Sequence, residues 1–164
     1  MRFLALKLRS TLLNNIIDGV VITKLNQIFD ERGKVMHMLS TKSPVFEKFG
    51  EIYFSSTHPG VIKAWHMHKE MTLNYAVIYG EIKFVLYDAR KNSPTLGQIQ
   101  EIFVSPENYV LVTVPPMVWN GFKSIGGNSS IVANCSTLPH NPNEILRKAP
   151  NDPEIPYNWE IEFK

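Results

Sequence analysis

The chain of 164 residues is short of several things, and each shortage narrows what it can be. Its single cysteine, Cys135, forbids an internal disulfide framework, so a reducing, cytoplasmic setting is expected. Cys135 ends the apolar run Ile131-Val132-Ala133-Asn134-Cys135, where a buried structural thiol is the ordinary outcome and a nucleophile the rare one. The chain has no excess of one charge. Seventeen Lys and Arg against 15 Asp and Glu leave +2, with intermingled signs and no basic stripe of the kind nucleic acid requires. It has no apolar run long enough to cross a bilayer, and Arg2, Lys7 and Arg9 interrupt the N-terminal stretch, which makes it a poor secretion signal. Neither nucleic acid nor a membrane is an expected partner. Residues 1–18 read as a surface extension or short amphipathic helix ahead of one domain, 19–164.

Long helical periodicity and internal repeats are missing too, and what remains is strand-like. Apolar runs are short and broken by Gly, Pro, Asn and Asp, which predicts strands at Gly19–Leu25, Lys34–Leu39, Gly50–Ser56, Ile62–His66, Thr72–Tyr79, Glu81–Tyr87, Gly97–Val104, Tyr109–Val114, Gly121–Ser124 and Ser130–Ser136. Gly80 between two of these reads as a hairpin position, and the polar stretch Asp88–Pro94 as an exposed loop. Many short strands with regular turns predict a sandwich or a closed barrel. Helices are expected only at Pro44–Phe49 and Asn143–Arg147, the second capped by Asn141 or Asn143. The tail beyond Pro139 is rich in Pro, Asn and Asp, yet Tyr157 and Trp159 predict that it packs back on the body.

One segment carries chemistry. From Gly60 to Gly80 the spacing is similar to the first cupin motif, G-x5-H-x-H-x4-E-x6-G, with His66 and His68 in place and Leu73 where the glutamate would be. The second motif, P-x-G-x2-H, resembles Pro115-Pro116-Met117-Val118-Trp119-Asn120, with Met117 for the glycine and Asn120 for the histidine. Alternation along a strand points His66 and His68 to one face. Leu73 cannot ligate a metal and Asn120 is a weak carbonyl ligand, so no metal is expected. A metal enzyme built on His66, His68 and Asn120 is the alternative. Both imidazoles could instead be interior polar groups with hydrogen-bond partners. Two on one face beside Lys63 favour function, because burying them unpaired costs free energy.

Over most of its length the chain resembles the dTDP-4-dehydrorhamnose 3,5-epimerase family. The likeness rests on Gly19-Val-Val-Ile, Asp30-Glu31-Arg32-Gly33, Gly60-Val-Ile-Lys-Ala-Trp-His66, Gly80-Glu81, Tyr87-Asp88-Ala89-Arg90 through Gly97, Val114-Pro115-Pro116 through Phe122, and Asn151-Asp152-Pro153. The resemblance implies an all-β, cupin-type double-stranded β-helix (jelly-roll) barrel with short peripheral helices. It implies cofactor-free epimerisation, or a related isomerisation such as 3,4-ketoisomerisation, next to the ketone of a nucleotide-linked 4-keto-6-deoxy sugar. The expected nucleotide is dTDP and the expected assembly a homodimer, with Val20–Leu25 adding to a partner's sheet. By resemblance His66 is the base and Asp152 its orienting carboxylate. Lys63 stands where the family has an arginine, and Arg32 matches the arginine that contacts the diphosphate. His68, Glu51, Tyr53, Tyr75 and Asn120 are the further substrate-binding candidates, and His37 falls near another nucleotide position. The family's enolate-steadying lysine falls at Leu73 and its acid tyrosine near Ala133, which leaves Tyr53 or Tyr75 for the acid. A binding cupin that has lost the acid is the remaining alternative.

Overall fold

The structure, a computed structural model, describes residues 17–160. The N-terminal extension expected from the sequence therefore lies almost wholly outside the described residues, although Ile17 is packed into the core. Twelve strands follow in order. They are β1 (Val21–Lys24), β2 (Gln27–Asp30), β3 (Gly33–Met36), β4 (Glu51–Thr57), β5 (Ile62–His68) and β6 (Leu73–Tyr79), then β7 (Glu81–Asp88), β8 (Ile99–Val104), β9 (Val110–Val114), β10 (Val118–Ile125), β11 (Ser130–Ser136) and β12 (Ile145–Arg147).

Two five-stranded antiparallel sheets face each other, in the orders β1-β9-β6-β11-β4 and β12-β5-β10-β7-β8, with β2-β3 as a separate ribbon. This is the jelly roll expected from the sequence, laid out as two sheets and not as a continuous closed barrel. Between them lies one apolar core, including Leu73, Val77, Phe84, Leu86, Val112, Val118 and Val132. Each sheet also buries part of its outer face, so its central strands read as continuous apolar runs. Ala76, Tyr109 and Leu111 are covered by side chains from Leu25 and the 36–45 segment. Trp65, Met67, Val85 and Trp119 are covered by the tail through Ile155, Tyr157 and Trp159, as the two tail aromatics predict. The 88–95 loop is closed by the buried Asp88 carboxylate, which accepts from Arg90, Ser93 and Thr95.

The two short helices expected from the sequence are absent among the described residues. At Pro44–Phe49 the chain makes only a turn, with Phe46 N–H on the Ser43 carbonyl, and Val45 packs beneath the first sheet. At 143–147 Asn141 does cap a turn, accepting from Asn143 N–H at 3.0 Å, but the chain then extends. Ile145, Leu146 and Arg147 pair with His68, Met67 and His66 as edge strand β12.

One irregularity decides where the site's side chains point. Along β10, Asn120 faces His66 and Phe122 faces Lys63, so β5 spends three steps where β10 spends two. The extra residue is a β-bulge, which resets the alternation of a strand. Lys63, His66 and His68 consequently share the inner face, while Trp65 and Met67 point to the outer one.

Candidate active site

The three inward side chains of β5 open on a cavity of about 320 Å³ between the two sheets. From the second sheet Lys63, His66, His68, Phe122, Ile145 and Arg147 form one wall. From the first, Glu51, Tyr53, Ser55, Tyr75, Val132 and Asn134 form the other, and Met71 and His140 also line it. Tyr75 marks its floor, packing on the core ring of Phe84 at 5.1 Å between centroids.

The polar groups are held in place. Lys63 Nζ spans the sheets, donating to Ser55 Oγ at 2.7 Å and to the Ser56 carbonyl at 2.6 Å. Burial, then the charges of Arg147, His68 and Lys63, pull the His66 imidazole down to about 4, so it is neutral near pH 7. His68 is buried, with Nδ1 2.5 Å from Glu144 Oε2. Glu144 Oε1 accepts from the backbone N–H groups of Glu70 and Met71 at 2.8 and 2.9 Å. Burial works to raise the Glu144 carboxyl, but those donors and the His68 ring outweigh it and hold the group below its usual range. On the facing wall Asn134 Nδ2 donates to the Tyr53 hydroxyl at 2.8 Å. Burial first, then the neighbouring Tyr53, pushes Tyr75 well above its ordinary value, so it stays a protonated donor.

A cavity with imidazoles and cations on one wall and phenols on the other suits proton traffic at a carbon next to a carbonyl. The profile of a family described as dTDP-4-dehydrorhamnose 3,5-epimerase matches residues 14–164. The chain belongs to the dTDP-4-dehydrorhamnose 3,5-epimerase family. It is an enzyme of the sugar-epimerase type. The spore coat polysaccharide biosynthesis protein SpsL of Bacillus subtilis is 32% identical, over 90% of this chain and 99% of its own. The crystal structure of a dTDP sugar isomerase from Desulfovibrio desulfuricans G20 is 43% identical with a TM-score of 0.86, over 88% of this chain and 92% of its own. The Legionella pneumophila dTDP-6-deoxy-D-glucose-3,5-epimerase, in complex with dTDP-4-keto-L-rhamnose, shares the fold at 24% identity and a TM-score of 0.80, over 91% of this chain and 82% of its own.

For this member of the epimerase family the structure gathers six of the expected residues, Glu51, Tyr53, Lys63, His66, His68 and Tyr75, around one cavity. Asn120 lies just behind it. Its amide donates to the His66 carbonyl at 3.1 Å, and its oxygen accepts from the Tyr75 hydroxyl at 3.4 Å, so it braces the site and does not present a ligand atom beside the imidazoles. Among the described residues no three His, Cys, Asp or Glu side chains gather to hold a metal ion. Asp152 lies outside the cavity lining. Its carboxylate meets Lys148 at 3.4 Å and the Glu154 N–H at 2.9 Å, while the carboxylate that does meet a cavity imidazole is Glu144. Arg32, at the β2–β3 turn, is 84% exposed and forks onto Asp30, and His37 is exposed beyond the ribbon. Sequence reasoning missed Glu144, Arg147, Asn134 and Ser55. Arg147 was hidden because its strand reads as a helix. Asn134 and Ser55 could have been found, since each sits two residues along its strand from a position already facing inward, Val132 and Tyr53 respectively. No helix among the described residues is long and apolar enough to cross a membrane.

Proposed function

We propose that this protein exchanges protons next to the C4 ketone of a nucleotide-linked, dTDP-type 4-keto-6-deoxy sugar and thereby inverts a flanking carbon, without metal or cofactor. The observation that carries the reading is the pair of facing walls, with the neutral imidazole of His66 on one and the phenols of Tyr53 and Tyr75 on the other. His66 takes the α proton, the C–H electron pair forms the carbon–carbon double bond, and the carbonyl π pair moves onto the ketone oxygen. Lys63 and Arg147 favour that enolate, and the enolate in turn offsets the two cations that make an imidazolium at His66 costly. A proton returns to the opposite face from Tyr53, the more exposed of the two phenols. Asp152, expected as the carboxylate that orients His66, meets Lys148 and the Glu154 N–H, and this reading requires no contact between it and the ring. The deciding measurement is deuterium wash-in with dTDP-4-keto-6-deoxyglucose, read by mass spectrometry and NMR. Label at C3, C5 or both is expected, and label no higher than in the enzyme-free control overturns the reading.

The same proposal extends to a homodimer. β4 is a sheet edge whose outward Ile52 and Phe54 are 49% and 61% exposed, and the β2-β3 ribbon exposes Ile28, Phe29 and Val35. An apolar exposed edge is a surface that soluble chains cover. Arg32, outside its own cavity lining, would then serve the diphosphate of a ligand in the second copy. Sedimentation is expected to give a dimer for the wild type and a monomer for Phe54→Asp. A wild-type monomer at micromolar concentration would sink this part.

A further inference from the structure

The cavity holds a second imidazole for which the resemblance provides no proton-transfer role, and it is the one with a carboxylate. His68 follows His66 by two residues on the inner face of β5, so their backbone positions are about 6.6 Å apart along the strand and both side chains line the cavity. Its Nδ1 is 2.5 Å from Glu144 Oε2, and Glu144 is fixed independently of the ring. The other carboxylate oxygen takes two backbone N–H groups from the turn after β5, and the Glu144 backbone pairs with Lys69 and Asn141. An ionised carboxylate on Nδ1 selects the tautomer with its proton there, which leaves the Nε2 lone pair for the cavity side that His68 lines.

We propose that His68 is a second catalytic proton acceptor of this site and that Glu144 is its positioning residue. The inference rests on the proton-exchange reading above. In the step assigned to it, an α C–H proton passes to His68 Nε2. The C–H pair forms the carbon–carbon double bond and the carbonyl π pair goes to the ketone oxygen. The resulting imidazolium is held against Glu144, and it returns its proton to the enolate carbon or to water. The two imidazoles differ in a way that suits a divided task. His66 shares its wall with the Arg147 and Lys63 cations, so a proton on it is favoured by an enolate that balances them, whereas His68 has its counter-charge built in. A six-membered ring with its ketone between C3 and C5 offers two acidic carbons to two such groups.

The test compares wild type, Glu144→Gln and His68→Asn in steady-state turnover and in site-resolved wash-in with dTDP-4-keto-6-deoxyglucose. Glu144→Gln keeps an oxygen for the Glu70 and Met71 N–H groups, so it removes the charge on His68 with the turn intact. The inference expects Glu144→Gln to lower kcat and the exchange rate at C3 or C5 about 10-fold or more with KM within about two-fold, and His68→Asn to lose on the order of 100-fold at the same carbon. Wild-type exchange rates at both carbons in Glu144→Gln, or a raised KM with kcat unchanged, would overturn it and leave the proton-exchange reading standing. No exchange in the wild type itself would overturn both.

Discussion

His66→Asn is expected to abolish α-proton exchange at the carbon it serves, a loss on the order of 10³-fold, with the folded state and nucleotide binding kept. A positioned general base contributes roughly 10² to 10⁴ in rate, and no lone pair replaces this one at the same place. Asparagine is close to imidazole in size and polarity, so the bulged strand and the Asn120 bond to the residue-66 carbonyl should survive. The substitution also carries a pH signature. In the folded protein His66 titrates near 4, against 6.5 for an ordinary histidine, so between those values the unfolded chain binds the proton and the folded chain does not. The stability contributed by the neutral, half-buried ring is therefore complete above about pH 6.5 and is lost as pH falls towards 4. His66→Asn should lose less stability than wild type across that window, by up to about 3 kcal/mol. Denaturant midpoints at pH 7 and pH 4.5 check the second effect, and wash-in at C3 and C5 checks the first. Exchange retained at both carbons would remove His66 from the chemistry.

Much of this site could be read before the fold was seen, and the parts that could not share a physical cause. The central strands are legible because one face must be apolar and the alternation is local, as in β8, where buried and exposed residues alternate along Ile99–Val104. β2 was missed because the ribbon it forms with β3 is exposed on both faces, leaving no pattern to read. β12 was mistaken for a helix because three residues carry no period. Its strand state is imposed by pairing with β5, on the far side of the sequence. Glu144 was invisible for the same reason, since the partner that gives it meaning is 76 residues away. The inward turn of Lys63 depends on a bulge, and an extra residue in a strand leaves no compositional trace. The resemblance picked out His66 and Lys63, which line one cavity, but the carboxylate it implied at Asp152 faces Lys148, and the one beside an imidazole comes from Glu144.

Gly121→Ala is expected to be strongly damaging although it touches no catalytic group, and it tests the bulge on which the site depends. A Cβ at Gly121 would lie 2.4 Å from Ala64 Cβ, 2.9 Å from Ala64 Cα and 3.1 Å from the Lys63 carbonyl. These neighbours are the backbone and shortest side chain of the facing strand, so no flexible tip can swing aside. β5 is pinned on its outer face by Trp65, which is fully buried, packs on Trp159 at 5.0 Å and donates to the Pro150 carbonyl at 3.2 Å. Relief therefore has to come from moving Ala64 away from β10, which disturbs the turn of the chain that aims Lys63 inward and sets His66 two residues on. Overpacking of this kind costs about 1–3 kcal/mol, and a backbone neighbour puts this case near about 3. For a chain of this size that corresponds to a fall in Tm of roughly 6–12 °C, and exchange should drop about 10-fold in the protein that remains folded. Gly127→Ala is the control, because a Cβ there meets nothing within 4 Å, and it should stay within about 0.5 kcal/mol of wild type. A Gly121→Ala protein that melts and exchanges like wild type would mean that β5 and β10 tolerate a wider separation at the bulge, and that Lys63 is aimed by its bonds to Ser55 and Ser56 alone.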